Sequence, residues 1–285
     1  MPTKILTLGY SPCPNDTFIF YALAHKKIDA GDLVFKEMLL DVETLNQMAV
    51  NSELDITKVS FHAFGHLRDK YCLLRSGGAL GKGCGPLIVA TEDFDIKNLK
   101  GKSIAVPGNL TTAFLLLKLY LATSLLTPHS LPFFVVMPFD KIIETVKNRE
   151  VDAGLIIHES RFTYQDFGLK KIIDLGEWWE KESGLPIPLG CILAKRELGK
   201  ELISKIDSLI RKSIGYAFSN RNEPESYIKM HSQELADEVI RQHINLYVNN
   251  YSIDIGDDGT HAVEELFRCA EEKGIIPKSS KPLFM

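Results

Sequence analysis

The feature that most constrains the fold of this chain is a strand–turn–helix–strand–helix–strand unit that occurs twice. The first copy starts with a strand at Lys4–Gly9 and the second with a strand at Ser103–Val106. The later elements follow in the same order in both copies: Leu33–Leu40, Val42–Val50 and Asp55–Phe61, then Phe133–Met137, Lys141–Lys147 and Asp152–His158. Strands that alternate with helices are typical of parallel β-α-β units in an α/β fold.

In both copies the first helix follows directly on a turn that contains proline. Asp16 and Thr17 are residue types that favour a helix start, so a helix is predicted over Thr17–His25. In the second copy the turn Pro107–Leu110 leads into a helix that starts near Thr111. The two helix N-termini are therefore predicted at equivalent places in the two units.

Two such units predict two α/β lobes that face each other across a hinge, which is the architecture of the type-2 periplasmic-binding-protein-like fold. A strand at Pro188–Ala194 returns from the second unit, and a helical tail follows at Leu198–Ser219, Pro224–Gln242 and Thr260–Lys273. We expect lobe one to comprise residues 1–94 and 195–285, and lobe two residues 95–194, with crossings near Thr91–Lys97 and Gly190–Lys195. The tail is expected to cover lobe one.

Composition narrows the function classes. The net charge is −4, so the chain has no basic surplus for nucleic acid or for an anionic membrane surface. No apolar run reaches the ~18–20 residues of a membrane span. The 5 cysteines are scattered without a CxxC pair, and the N-terminus lacks the pattern of a secretory signal. We therefore expect a cytoplasmic, reduced protein with no nucleic-acid or membrane partner.

The cleft between the lobes is the predicted site, because ligands of open α/β sheets lie beyond the carboxyl ends of the strands. The helix N-terminus near Thr111, with the hydroxyl of Thr112 and the small Gly108, favours an anion such as the carboxylate of a small molecule. The alternative is that Asn109 and Thr111 only cap the helix.

His158 is the most informative single residue. It follows the apolar strand 153–157 and should emerge at its carboxyl end, where a histidine can act as a general base that Glu159 orients. The alternative is a partly exposed histidine that only begins a loop. Ser60 holds the similar place in lobe one, and Lys58 lies on the same strand face.

Other patterns carry less weight. His62 and His66 have a spacing that can chelate a metal, but no third ligand is evident and no metal is predicted. The glycine-rich run Gly77–Gly85 lacks the order of a phosphate loop and is interpreted as a mobile loop or lid near the hinge. Cys13 could be a nucleophile, although a packed small side chain is the preferred interpretation.

Several stretches together resemble one family, the 1,4-dihydroxy-6-naphthoate synthases of the futalosine route to menaquinone. They are Gly9–Phe18 (GYSPCPNDTF), Asp41–Asn46 (DVETLN), Asp55–His62 (DITKVSFH), Val106–Gly108 with Leu110–Ala113, and His158–Glu159. The resemblance runs from residue 4 to about residue 195, and the tail agrees only in length and helicity.

The resemblance implies a cofactor-independent lyase that converts cyclic dehypoxanthine futalosine to 1,4-dihydroxy-6-naphthoate and releases a dihydroxyacetone fragment. It also implies His158 as proton acceptor. Substrate would be held by Lys58, Ser60, Thr111 and Thr112, with the Ala113 amide close by and Asn46 lining the pocket. Asn15 and Asp16 receive no firm role, because their turn could serve only to shape the lobe.

Two alternatives stay open. One is a chorismate dehydratase on the same scaffold, which the Ser11–Phe18 turn and His158 disfavour. The other is a non-catalytic solute-binding protein for a small carboxylate. The oligomeric state, the extent of hinge closure and the protonation state of His158 are not predicted.

Overall fold

The framework of the chain, in a computed structural model that describes residues 3–96, 99, 101–124, 131–232 and 236–285, is a pair of mixed β-sheets. In chain order the strands are β1 Lys4–Tyr10, β2 Leu33–Leu39, β3 Ile56–Ser60, β4 Tyr71–Leu73, β5 Ala79–Gly81, β6 Leu87–Ala90, β7 Ser103–Val106, β8 Phe133–Val136, β9 Ala153–Ile156, β10 Lys170–Asp174 and β11 Ile187–Lys195.

Helices cover the sheets and link the strands. They are α1 Pro14–Ala24, α2 Val42–Val50, α3 Phe61–Leu67, α4 Thr112–Thr123, α5 Phe139–Lys147, α6 Ser160–Thr163, α7 Leu175–Ser183, α8 Lys200–Ser219, α9 Glu225–His231, α10 Asp237–Tyr247, α11 Asn250–Ile253 and α12 Gly256–Glu272. Short 3-10 turns at Tyr164–Phe167 and Arg196–Leu198 complete the described helical structure.

The duplicated unit predicted from the sequence is present as two parallel three-stranded groups. In the first sheet β1 lies between β2 and β3, and in the second sheet β7 lies between β8 and β9. All four of these strand pairs are parallel. The α/β class and the two-sheet organisation are therefore confirmed, and the carboxyl ends of β1, β3, β7 and β9 lie at equivalent edges of their sheets.

The chain passes from one sheet to the other earlier than the lobe boundaries expected at residues 94 and 195. β6 pairs antiparallel with β9 in the second sheet, and β11 pairs antiparallel with β3 in the first. The predicted crossing near Gly190–Lys195 thus falls inside β11, because this apolar strand is paired along its length from Ile187 onward. The other predicted crossing ends at Lys97, which lies outside the described residues.

The helical tail packs on the first sheet, as expected. Apolar residues of α8 share one buried cluster with residues of β1 and α1, so α1 is covered on both sides. The helix predicted over Pro224–Gln242 is instead two helices, α9 and α10, and residues 233–235 between them lie outside the described part.

At the chain end, the Leu73 amide donates to the Leu283 carbonyl at 2.7 Å, which pairs the edge strand β4 with the C-terminal segment. Among the described residues, no helix combines the length and apolarity needed to cross a bilayer.

The glycine run is not a continuous loop, as was expected, because a strand interrupts it. Residues 79–81 are strand β5, which pairs with β11, and only Lys82 and Gly83 of the run are exposed. Gly85 packs against a second glycine: a Cβ at this position would lie 2.3 Å from the Gly176 Cα atom. Gly85 therefore allows the close approach of two buried backbones, and a lid role for the run stays a prediction.

Candidate active site

A cleft lies between the two sheets and encloses about 670 Å³ when the space at its open mouth is included. Lobe one contributes Lys58 and Ser60 to its wall, and lobe two contributes His158 and the start of α4. The loops that follow the parallel strands of both units meet at this cleft, as the sequence predicted. They meet here because the parallel strands of each unit end at one edge of their sheet.

The structure brings together most of the side chains singled out from the sequence. Lys58, Ser60, Thr111, Thr112, Ala113 and His158 all line the cleft, as do Asn15 and Asp16. Asn46 does not line it. The Asn46 side chain is fully buried behind Ser60, where Oδ1 accepts from the Ser60 amide at 2.9 Å and Nδ2 donates to Ser60 Oγ at 3.3 Å. Its observed contact is thus with a cleft residue.

His158 stands two residues beyond β9 in a strained backbone conformation. Its φ of 56° lies in the left-handed region, which costs a non-glycine residue roughly 1–3 kcal/mol and is typical of functional positions. The ring packs against Phe139, with centroids 5.1 Å apart, and lies parallel to the His243 ring at 6.1 Å. The turn thus projects the imidazole into the cleft between two rings.

Burial keeps this imidazole neutral. Loss of hydration lowers the pKa of His158 to about 4, while the nearby Asp16 carboxylate opposes the shift. A neutral imidazole has a ring nitrogen with a free lone pair, so it can accept a proton throughout the neutral pH range.

The pH dependence of catalysis should report this shift. If His158 is the base, kcat/KM for the free protein stays constant between about pH 8 and pH 5 and falls at lower pH, since an unperturbed histidine of pKa ~6.5 would already be protonated. The half-maximal point is expected near pH 4. Initial rates over this range in a constant-ionic-strength buffer give the profile, and an acid limb centred near 6.5 would contradict it.

The profile needs a folding control, because buried neutral histidines also couple stability to pH. Burial lowers the pKa of His62 to about 3 and that of His243 well below its usual value. The unfolded chain takes up protons near pH 6.5 that the folded chain excludes, so stability is lost as the pH falls below that value. Near-UV circular dichroism at each pH separates this loss of fold from loss of the base.

A buried ion pair forms the floor of the cleft on the lobe-one side. Lys58 Nζ lies 2.7 Å from Asp16 Oδ1, and the two side chains are 5% and 1% exposed. Asp16 Oδ2 accepts from the Ser11 amide at 3.1 Å and from its hydroxyl at 2.8 Å. A further bond joins Lys58 Nζ to the Gly77 carbonyl at 3.3 Å. The ammonium is therefore held in one place, facing the cavity.

The position of Asp16 differs from the sequence prediction. Helix α1 begins at Pro14, with Cys13 as its N-cap residue, rather than at Thr17. Proline suits the first helical position, since its missing N–H would have no partner there. Asp16 consequently lies within the first turn, where a carboxylate is favoured by the helix dipole, and is not the cap.

The network continues through Asn15 to a histidine of the tail. Asn15 Nδ2 donates to Asp16 Oδ1 at 2.8 Å, so its Oδ1 is the acceptor for His243 Nε2 at 2.9 Å. His243 Nδ1 then faces Glu159 Oε2 at 3.9 Å. Glu159, expected to orient His158, thus also faces a second histidine. His243 was missed by the sequence analysis, although its place on the apolar stripe of α10, beside Ile240 and Ile244, was an available signal.

The start of α4 is tied to lobe one. Thr111 Oγ1 caps the helix by accepting from the Phe114 amide at 3.3 Å, and Thr112 Oγ1 donates to the Leu189 carbonyl at 2.6 Å. His62 Nδ1 lies 3.2 Å from the Thr111 carbonyl oxygen. His62 therefore contacts α4 at the lobe junction, and each threonine hydroxyl has an internal partner.

Glu43 of α2 occupies the loop in front of α4. Its two carboxylate oxygens accept from the Leu110 amide at 3.3 and 3.2 Å, and a Cβ at Gly108, whose φ is 151°, would lie 2.5 Å from the Glu43 carboxyl carbon. Only glycine permits this approach. One lobe thus places a carboxylate on the loop that precedes α4 in the other.

Replacing this carboxylate should weaken substrate binding. We expect Glu43→Gln to raise KM by roughly 5–10-fold with little change in kcat, because a charge-assisted contact between the lobes is worth about 1 kcal/mol or more. Steady-state kinetics on the purified variant test this, with the exposed Glu53→Gln as matched control. A lower KM would mean that Glu43 competes with the substrate instead of holding the lobes together.

The whole chain is similar to proteins of known activity and fold. A family model described as menaquinone biosynthesis matches residues 6–272. The chain is 48% identical over 282 residues to a Thermus thermophilus protein named 1,4-dihydroxy-6-naphthoate synthase, covering 99% of this chain and 100% of that one. A Streptomyces coelicolor protein of the same name is 43% identical over 278 residues, covering 97% and 96%.

Solved structures agree on the fold. A protein from Archaeoglobus fulgidus matches with a TM-score of 0.88 and 39% identity, over 95% of this chain and 98% of that one. The alkanesulfonate-binding protein SsuA of Xanthomonas axonopodis matches with a TM-score of 0.71 at 14% identity, over 98% and 96%. A Candida albicans protein with the generic periplasmic binding protein fold matches at 0.69 and 18%, over 98% and 92%. The expected fold, two lobes of the periplasmic-binding-protein type, is confirmed.

Proposed function

From the premise that this chain belongs to the menaquinone biosynthesis family, whose curated relatives are 1,4-dihydroxy-6-naphthoate synthases, we propose a mechanism in which His158 is the proton acceptor. The chain is an enzyme of this pathway, and its proposed reaction is the conversion of cyclic dehypoxanthine futalosine to 1,4-dihydroxy-6-naphthoate. The observation that carries the mechanism is a neutral imidazole that projects into the cleft opposite a buried ammonium and two threonines.

The proposed binding mode follows from the charges around the cleft. The substrate has an aromatic carboxylate, and Lys58, Ser60 and the start of α4 offer a cation, a hydroxyl and backbone amides within one cavity. A carboxylate at Thr111–Ala113 leaves the sugar portion directed toward His158. Asn46 supports this arrangement through its two hydrogen bonds to Ser60.

The proposed chemistry needs one base and a few donors. His158 accepts a proton from the spiro-fused sugar, and the electron pair left behind drives cleavage of the carbon–carbon bond that joins the sugar fragment to the ring. The ring becomes aromatic as a dihydroxyacetone fragment departs, so aromatisation supplies much of the driving force. Positioning of the substrate between the two lobes lowers the activation barrier, and the proposal includes no cofactor.

We propose a cytoplasmic location for the reaction and a small carboxylate as its substrate. The five cysteines, Cys13, Cys72, Cys84, Cys191 and Cys269, are free thiols, which supports a reducing compartment.

A product assay tests the proposed reaction directly. Purified protein is incubated with cyclic dehypoxanthine futalosine, and naphthoate is followed by absorbance and mass together with the released fragment. We expect the two products in a one-to-one ratio. Tight binding without product would indicate a binding protein, and absence of binding would contradict the proposed substrate. In that case chorismate is the next substrate, with 3-enolpyruvylbenzoate as the expected product of a dehydratase.

A further inference from the structure

Three potential metal ligands from the two lobes meet beside the cleft. The Cys13 thiol, a ring nitrogen of His158 and a carboxylate oxygen of Glu159 all lie within 4.8 Å of one another. Cys13 belongs to lobe one as the N-cap residue of α1, whereas His158 and Glu159 follow β9 in lobe two. Cys13 and Glu159 are buried and His158 is partly buried, so the three groups share a desolvated space.

A fourth potential ligand atom, the Nδ1 nitrogen of His243, lies next to Glu159. His243 is 1% exposed, and its Nδ1 has no hydrogen-bond partner among the residues that the structure describes. This atom lies 3.9 Å from Glu159 Oε2. The opposite nitrogen, Nε2, donates to Asn15 Oδ1 at 2.9 Å, which fixes the ring and leaves a lone pair on Nδ1, the nitrogen that faces Glu159. Such an outer hydrogen bond is how proteins commonly orient a metal-binding imidazole.

We propose that Cys13, His158, Glu159 and His243 form a Zn²⁺ site that inhibits the enzyme and joins its two lobes. A thiolate, two imidazoles and one carboxylate oxygen are the donors that zinc prefers, whereas Mg²⁺ and Ca²⁺ require oxygen ligands. Ligands at zinc distances lie roughly 3.3–3.7 Å apart. The cluster therefore contracts by about 1 Å when the metal enters.

Charge balance favours the same metal. Binding releases the thiol proton to solvent, after which one thiolate and one carboxylate neutralise the two charges of Zn²⁺. The two histidines bind as neutral ligands. The filled site then carries no net charge, which suits its burial, since an uncompensated charge there would be costly.

The consequence for turnover is inhibition. A metal bound to His158 occupies the lone pair that the proposed base uses, so this inhibitory effect depends on the proposed function. The metal also links α1 and α10 of one lobe to the turn of the other, and should hold the cleft closed. Binding and closure, unlike inhibition, can be measured without any turnover.

Cobalt is the spectroscopic probe for the site. Co²⁺ is added to the metal-free full-length protein under anaerobic conditions, and thiolate-to-cobalt absorption in the near ultraviolet is recorded. We expect a stoichiometric band in the wild type and in Cys269→Ala, which removes a thiol outside the cluster. The band should be absent in Cys13→Ala and in Cys13→Ser. Two replacements are used so that misfolding of one variant does not decide the result.

Zinc supplies the functional readout. We expect Zn²⁺ to inhibit the wild type reversibly, with recovery on addition of a chelator, and to raise its Tm. In Cys13→Ala, which keeps turnover because the thiol takes no part in the proposed reaction, the concentration for half-inhibition should rise by about 10–100-fold or more. A cobalt–thiolate band that persists without Cys13, or equal inhibition of both proteins, would overturn the proposal. If the wild type gave the expected cobalt spectrum but had no activity on the proposed substrate, the result would count against the proposed function alone.

Discussion

Replacement of His158 by alanine should reduce kcat by about 10²–10⁴-fold, the usual contribution of a positioned general base. The neutral imidazole is the group in the cleft wall with a burial-lowered pKa, and alanine offers no lone pair to replace it. KM should change little, because the groups proposed to hold the carboxylate are untouched. Single-turnover kinetics with product detection measure the chemical step, and calorimetry measures substrate binding in the same variant.

The backbone conformation at residue 158 determines which control variant is suitable. His158 has a φ of 56°, a region in which asparagine is tolerated better than alanine. His158→Asn should therefore retain the fold at least as well as His158→Ala while losing the base. His261→Ala, a change at an exposed histidine of α12, should leave kcat unchanged. Near-normal turnover in a folded His158→Asn variant would remove His158 from the mechanism.

The second large effect is expected on stability. Asp16→Ala should lower the free energy of unfolding by about 3–5 kcal/mol, since it leaves the Lys58 ammonium buried without its counter-ion. The pair distance is 2.7 Å and both side chains are at most 5% exposed. The variant also loses the two bonds from Ser11. Urea unfolding followed by fluorescence gives the difference.

Matched variants separate the buried charge from the bonds around it. The double variant Asp16→Asn/Lys58→Met removes both charges, so it should recover part of the loss seen in Asp16→Ala. Glu92→Ala breaks an exposed pair with Arg149, whose side chains are 72% and 69% exposed, and should cost less than about 1 kcal/mol. If Asp16→Ala were as mild as Glu92→Ala, the buried pair would not be a stabilising element of the cleft.

The repeated unit was predictable from the sequence because strand and helix periods are local. Strands β7 and β8 and helix α2 fall where the apolar patterns placed them, within a residue or two. The start of α1 was wrong by three residues. Two prolines suggested a turn, whereas Pro14 fills the first helical position and Cys13, a residue type with no strong cap preference, precedes it.

The strand pairing and the structure of the glycine run were harder to predict, because both depend on residues that are far away in the sequence. β11 pairs with β3, which lies more than a hundred residues earlier, and the sequence of β11 alone does not indicate which strand it pairs with. In the sequence Gly85 indicates only a flexible backbone, whereas the structure packs it against Gly176. Local sequence patterns indicate which structures a segment can adopt, and packing against distant segments determines which of these structures forms.

The same division applies to the cleft. His158 and Ser60 could be placed from sequence because strand ends are recognisable and parallel strands converge. His243 could not be placed, since only the docking of α10 brings it to Asn15, 228 residues away. Asn46 was identified through the resemblance, but its contact with Ser60, rather than a place on the cleft wall, required the three-dimensional arrangement.

The pairing of β4 with the C-terminal segment bears on how the chain is made. All strands of the second sheet lie between Leu87 and Asp174, so that lobe can complete its sheet while the ribosome is still adding the tail. The first sheet must wait, because β11 and the Leu283 carbonyl that accepts from Leu73 are synthesised late. His243 also arrives late, on α10. The nascent protein therefore passes through a stage with one finished lobe and one open sheet, and the cleft forms only after β11 and α10 have been made.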